Sequence, residues 1–328
     1  MTMAKIFGIG NALVDIMTKV NNDTILTSLN LPKGSMQLIS SEEMESALDK
    51  TKGYEQVLAS GGSAANTING LANLNVETGF IGKVGKDELG NFFYNDMVKA
   101  TISPTLLKGI NPTGTALAIV TPDSERTFAT SLGAAIELTE NDLTDNLFDG
   151  YNILHIEGYL VQNHSLIERA LKLAKSSGLK VSLDLASYNV VEENLEFLTQ
   201  MVKSYVDIIF ANEEEAKAFT NKSPRESLDL LAEVAEIAVV KLGSQGSLIK
   251  SKNEVHKVEV IDVKPIDTTG AGDLYASGFL YGLSKKLSLD KCGQIGSLLS
   301  GKVIEVIGPK MDDETWDTIR TRVREIEG

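Results

Sequence analysis

Between residues 151 and 242 the chain alternates short apolar runs with amphipathic stretches, and this alternation constrains the fold more than any other feature. Residues 151–156, 181–185, 207–211 and 237–242 read as strands. Residues 165–176, 193–204, 213–219 and 225–234 read as the helices that follow or separate them. Strands separated by ~10–15 residues of helix pair in parallel through right-handed crossovers, because a tight hairpin cannot accommodate a helix. Helices then cover both faces of the sheet. The expected body is an α/β three-layer structure around a central, mostly parallel sheet.

The first 130 residues follow a different rule. Residues 14–20, 35–39, 115–121 and 126–130 read as strands without crossover helices of the right length between them. Their alternation predicts a small, half-exposed antiparallel sheet, inserted at about 12–40 and 101–130, that could act as a lid.

Composition excludes several classes. No apolar run approaches the roughly 18 residues that span a bilayer. The N-terminal Ile6-Phe7-Gly8-Ile9-Gly10 reads as a strand rather than as the apolar core of a signal peptide. A single cysteine, Cys292, forms no internal disulfide. A cytoplasmic chain with no membrane partner is expected. The net charge is −14, from 31 basic and 45 acidic residues, with no basic cluster, so no nucleic-acid partner is expected. In so acidic a chain a phosphate needs local help from backbone amides, a few cations and a metal ion.

The chemistry concentrates in Asp267-Thr268-Thr269-Gly270-Ala271-Gly272-Asp273, which runs directly into a helix beginning Leu274-Tyr275-Ala276. Small residues let a ligand approach the backbone, and the free N–H groups and positive dipole end of a helix attract an anion. Asp273 lies in that first turn, where a base could face a phosphate held on amides. Other phosphate motifs fail. The segment from Gly79 to Lys86 has the wrong spacing for a Walker A loop, and Leu13 stands where a dinucleotide fingerprint needs its third glycine. His155, His164 and His256 show no metal-ligand spacing.

This string resembles the signature of the ribokinase-like (PfkB) family of carbohydrate and nucleoside kinases. Four more segments carry the resemblance in order. Ser60-Gly61-Gly62-Ser63-Ala64-Ala65-Asn66 is similar to the family's substrate loop, and residues 80–90 resemble the segment that follows it. Asn212-Glu213-Glu214-Glu215 resembles the magnesium motif, and Val240-Lys241-Leu242-Gly243-Ser244-Gln245-Gly246 the nucleotide-binding strand and turn. The resemblance implies one ribokinase-like domain over residues 1–328 and ATP-dependent phosphotransfer to an alcohol. It casts Asp273 as general base and the amides of Gly270, Ala271 and Gly272 as an anion hole. Lys241, Gly243, Gly246, Thr268 and Asn212 would contact ATP, and Asn212 and Glu215 would order Mg2+ through water. As a lone motif, Asn-x-x-Glu is also a helix capping box. A monovalent cation such as K+ near Asp267 and Thr269 is a further implication.

The opening Phe7 to Ile16 resembles that of adenosine kinases. Asn11 and Asp15 would then bind ribose hydroxyls, with Gly61, Gly62 and Asn66 closing on the same sugar. Residues 112–116 and 124–128 resemble lid segments of those enzymes, from which Arg126 could reach the transferring phosphate. Thr269 and the run Ser63-Ala64-Ala65-Asn66 depart from the eukaryotic pattern. A free sugar such as fructose, ribose or 2-keto-3-deoxygluconate therefore stands as the alternative to adenosine. A regulator that has lost catalysis is disfavoured by the presence of Asp273, Asn212 and Glu215. A monomer or homodimer is expected.

Overall fold

The computed structural model describes residues 3–123 and 125–328. Ser124, the first residue of the 124–128 lid segment, lies outside them.

Fourteen strands form two sheets among the described residues. In chain order they are β1 (Ile6–Ile9), β2 (Leu13–Lys19), β3 (Met36–Leu38), β4 (Gln56–Gly61), β5 (Thr78–Val84), β6 (Ser103–Lys108) and β7 (Gly114–Val120). There follow β8 (Arg126–Ser131), β9 (Ile153–Glu157), β10 (Lys180–Asp184), β11 (Ile208–Asn212), β12 (Ile237–Lys241), β13 (Ser247–Ser251) and β14 (Glu254–Val258). The large sheet has nine strands in the order β14-β13-β12-β11-β10-β9-β1-β5-β6. All its pairs are parallel except the edge hairpin β12-β13-β14.

The apolar runs of the second half fold as their composition dictates. β9 is buried at every position, as a strand covered on both faces must be. Alternate side chains along β11 enter opposite layers. Ile208 and Phe210 join a core with Phe80, Phe93 and Phe279, whereas Ile209 and Ala211 join one with Phe7, Phe148 and Leu171. β2 instead alternates buried and half-buried residues, the signature of a sheet with one face uncovered.

That smaller sheet has the order β3-β8-β7-β2-β4 and differs from expectation in three respects. It is mixed rather than antiparallel, since β2 with β7 and β3 with β8 run parallel. It includes β4, whose mixed Gln-Val-Leu-Ala-Ser-Gly composition carries little strand signal. Its second insertion begins at Gly114 rather than near residue 101, because β6 pairs with β5 at the edge of the large sheet. The helix expected over 193–204 runs Leu195–Tyr205, and a short helix not expected from the sequence, Tyr188–Glu193, precedes it.

Four parallel strands end on polar residues: β9 on Glu157, β10 on Asp184, β11 on Asn212 and β12 on Lys241. Their register sets Glu157 beside Asp184 and Asn212 beside Lys241. The carboxyl edge of an open α/β sheet is where ligands bind, and the small sheet stands over that edge beside β1. No helix among the described residues is long and apolar enough to cross a membrane.

Candidate active site

Two clefts flank the start of helix Ala271–Ser284. One, of about 1120 Å³, is lined by Ser63, Asp184, Asn212, Lys241, Gly243, Gly246, Thr268 and Asp273, among others. The other, of about 560 Å³, is lined by Asp15, Gly62, Asn66, Arg126, Asp267, Lys310 and the apolar Met17, Val57, Ala116, Ala118, Phe128 and Trp316. Most of the sequence-predicted residues thus fall into two groups separated by the 267–273 turn; Asn11 and Gly61 line neither cleft.

Asp273 joins the groups. Ser63, on the wall of the larger cleft, donates to its Oδ1 (2.7 Å), and Asn66, on the wall of the smaller, donates to its Oδ2 (3.0 Å). Ser63 and Asn66 lie three residues apart on helix Ser63–Asn73 and so share a face. Thr67, one residue on, donates to the Asp273 carbonyl (3.1 Å) and locks the two helices together. Burial pushes the Asp273 carboxyl up to about 6, against the pull of the Ser63 and Asn66 hydrogen bonds. A carboxylate so placed is ionised near neutral pH and still basic enough to take a proton.

Gly270 precedes the helix at φ 75°, a conformation that favours glycine. The Ala271 N–H turns back onto the Thr268 carbonyl (3.1 Å). That departs from the expected Gly270–Ala271–Gly272 anion hole. Among the described residues the amides of Gly270, Gly272 and Asp273 find no protein acceptor, and they carry the positive end of the helix dipole.

In the larger cleft, Lys241 donates to Asp184 Oδ2 (2.8 Å). Burial opposes the ammonium charge, but Asp184 and Glu215 outweigh it and hold Lys241 above its ordinary value. Asn212 and Glu215 form a reciprocal capping box. The Glu215 N–H donates to Asn212 Oδ1 (2.8 Å), while the Asn212 N–H and Nδ2 reach the two Glu215 oxygens (2.8 and 2.7 Å). Burial, with Asp184 nearby, raises the Glu215 carboxyl to about 7.

In the smaller cleft, Asp15 on β2 stands opposite Ala59 on β4 and Ala116 on β7. A Cβ at Gly61 would lie 2.4 Å from the Asp15 carboxylate oxygens, so a larger residue there would displace the group. Burial raises Asp15 to about 7; Lys310 lowers it and Asp273 raises it further. Its carboxylate accepts no hydrogen bond from the described residues. Asn11 is held through Glu157, whose Oε1 accepts from the Asn11 N–H (2.9 Å) and Nδ2 (2.6 Å), while Oε2 accepts from Ala64 N–H (3.0 Å).

Arg126 is neither solvated nor aimed at the larger cleft. Its guanidinium is ion-paired to Asp267 and donates to the Ile266 carbonyl (3.2 Å). Asp267 also accepts from the Thr269 N–H (2.9 Å) and hydroxyl (2.8 Å) and from the Gly308 N–H (2.6 Å). Burial opposes its charge, but these donors hold it below the usual carboxylate range. With both oxygens engaged and its charge met by a guanidinium, Asp267 does not fit the expected K+ ligand. The three histidines line neither cleft.

Sequence reasoning missed Ser63 as a partner of Asp273, Asp184 as a partner of Lys241, and Lys310 and Trp316 in the smaller cleft. Ser63 was findable from its i, i+3 relation to Asn66. The others depend on long-range packing.

A parallel sheet with a nucleotide-sized cleft at its carboxyl edge, a second sheet beside a smaller cleft and a carboxylate at a helix start between them define a ribokinase-like kinase. The comparisons agree. The chain belongs to the pfkB family of carbohydrate kinases, whose model matches residues 34–316. It is similar to the solved adenosine kinase from Sinorhizobium meliloti, at 33% identity and TM-score 0.86 over 98% of this chain and 100% of that one. It is similar to the probable sugar kinase from Rhizobium etli CFN 42, at 32% identity and TM-score 0.86 over 98% and 99%. It is 29% identical to 5-dehydro-2-deoxygluconokinase of Lacticaseibacillus casei, over 87% of this chain and 93% of that protein.

Proposed function

We propose that this kinase transfers the γ-phosphoryl group of ATP to the hydroxymethyl oxygen of a ribose, with adenosine as the acceptor. The observation that carries the reading is the composition of the acceptor cleft. Asp15 and Asn66 supply polar contacts suited to ribose hydroxyls, while Met17, Val57, Ala116, Ala118, Phe128 and Trp316 offer more apolar surface than a free sugar covers. Its charged lining sets Asp15, Asp96, Asp267 and Asp313 against Lys99, Arg126 and Lys310. That balance suits a neutral acceptor better than a sugar acid.

In the transfer, Asp273 takes the hydroxyl proton and the freed oxygen attacks the γ-phosphorus. The bond from that phosphorus to the β-bridging oxygen breaks, and ADP leaves. The amides of Gly270, Gly272 and Asp273 face the negative charge spread over the phosphoryl oxygens, a preorganised role. Lys241, tied to Asp184, lies on the wall of the ATP cleft with Gly243, Gly246 and Thr268.

Mg2+ would neutralise charge on the phosphates. Among the described residues no group of three His, Cys, Asp or Glu could hold a metal directly, and both Glu215 oxygens are taken by Asn212. These residues fit an ion carried by ATP and touched through its waters.

A free sugar as acceptor is the second reading, favoured by the near-equal similarity to the Rhizobium etli sugar kinase. ATP consumption in a coupled assay, across adenosine, inosine, ribose, fructose and 2-keto-3-deoxygluconate, decides between them. Turnover with micromolar adenosine far above the sugars is expected. Preference for a free sugar would overturn the nucleoside assignment.

A further inference from the structure

Lys310 lines the acceptor cleft yet has no part in the transfer proposed above. It lies on the loop between helices Leu289–Val303 and Asp313–Glu327, beside Gly308, which donates to Asp267. Its ammonium donates to Ser60 Oγ (3.0 Å) and stands 3.7 Å from Asp96 Oδ2. Ser60 donates to that same Asp96 oxygen (2.5 Å) and so holds the carboxylate back. An ammonium has three donors, and among the described residues only Ser60 lies within hydrogen-bond distance of it. Across the same cleft stands Asp15, a carboxylate whose oxygens accept nothing from the described residues. Burial lowers Lys310, while Asp96 and Asp15 act to restore its charge.

A free donor and a free acceptor facing one cleft suit a group that is both. We propose that Lys310 is a second acceptor-binding residue, paired with Asp15. It donates to a ribose hydroxyl oxygen whose own hydrogen goes to the Asp15 carboxylate. The inference rests on the kinase reading of this cleft. It predicts recognition of a vicinal diol from both sides, with one hydroxyl held by cation and carboxylate together.

The test compares wild type, Lys310→Met and Lys310→Arg with adenosine, 2′-deoxyadenosine and 3′-deoxyadenosine. Wild-type turnover with adenosine tests the kinase reading separately. Binding is read independently of turnover from the fluorescence of Trp316, the single tryptophan, which is buried on the cleft wall. Hydrogen bonds to charged groups are worth roughly 10–100-fold. K310M should lose about that factor in kcat/KM for adenosine, carried by KM, with the KM for ATP unchanged. For the deoxynucleoside that lacks the hydroxyl read by Lys310, the further loss should be under about 3-fold, since the contact is already gone. K310R should recover part of the loss. Parallel losses across all three nucleosides, or an adenosine Kd in K310M equal to that of wild type, would overturn the proposal and leave Lys310 as the counter-ion of Asp96. Thermal melting of both variants separates a folding defect from a binding one.

Discussion

Arg126, at the start of β8 in the small sheet, is ion-paired to Asp267, at the head of the turn that opens helix Ala271–Ser284. The pair ties the small sheet, beside the smaller cleft, to the turn whose backbone is proposed to face the phosphate. Asp267 keeps the Thr269 and Gly308 donors if Arg126 is removed, whereas Asp267→Ala strands four donors at once: the Thr269 N–H and hydroxyl, the Gly308 N–H and the Arg126 guanidinium. Removing one member of a buried pair costs about 3–5 kcal/mol when the partner is left uncompensated. D267A should therefore lose about that much stability in denaturant unfolding. R126M should lose clearly less, yet fall about 10–100-fold in kcat/KM for the acceptor as the sheet loses its tether. The double variant should be no less stable than D267A alone to within ~0.5 kcal/mol; additive losses would show that the residues act separately.

The same pairing bears on salt. Because a guanidinium already neutralises Asp267, replacing K+ by Na+ or choline at constant ionic strength should leave kcat unchanged. A fall of more than about tenfold without K+ would mean that a monovalent cation is bound elsewhere on this turn or displaces Arg126.

Asp273→Asn should lower kcat by about 10²–10⁴-fold, the range for loss of a general base, while isothermal titration shows ATP binding retained. The pH dependence follows from burial, which lifts the carboxyl to about 6. The base must be ionised, so kcat/KM should fall as pH drops through about 6. Stability moves the other way. Between the unfolded carboxyl near 3.8 and the folded one near 6, the folded state binds more protons, so the ionised group lowers stability as pH rises through that window. Asn at this position should thus raise the melting temperature at pH 7 while removing activity, a gain on the order of 1–3 kcal/mol. A variant both active and unchanged in stability would remove Asp273 from the base position.

The parallel body was legible because its strands are buried on both faces and therefore read as unbroken apolar runs; predicted and observed ends of the 207–211 and 237–242 strands differ by at most one residue. The small sheet was legible only in part. β4 carries two large apolar residues in six and leads into a glycine pair, so nothing local marks it as a strand. Likewise Asp273 announced itself through the glycines around it, but its partner Ser63 lies 210 residues away. Lys310 carried no signal at all. A lysine after Gly-Pro reads as a solvated loop residue until the fold half-buries it beside Ser60 and Asp96.

Through Asp15, the proposed acceptor site should be sensitive to pH. Burial lifts its carboxyl to about 7, and only the ionised form accepts from two hydroxyls. The KM for the acceptor should therefore rise as pH falls below about 7, with the KM for ATP steady. Asp15→Asn should flatten that limb and raise the acceptor KM about 10–100-fold at pH 8. An unchanged KM would take Asp15 out of the ribose site.

Asn212 and Glu215 serve one purpose visibly and a second by proposal, and the two separate on substitution. Their capping box holds helix Glu213–Thr220 at the carboxyl end of β11. Loss of such a cap costs about 0.5–2 kcal/mol, so Asn212→Asp, which keeps the acceptor oxygen for the Glu215 N–H, should retain most of the stability. It also places two carboxylates together where burial already lifts Glu215 to about 7, which should raise one of them further. Glu215→Gln keeps the size and one of the two acceptor oxygens, turns the other into a donor facing Asn212, and removes the charge. If the pair touches Mg2+ only through water, E215Q should shift the Mg2+ dependence of kcat to higher concentration by about 10-fold or more, the loss typical of an outer-shell partner. Its stability without nucleotide should fall by no more than about 0.5–2 kcal/mol, the worth of a cap contact. A Mg2+ titration superimposable on the wild type's would leave the motif as a helix cap alone.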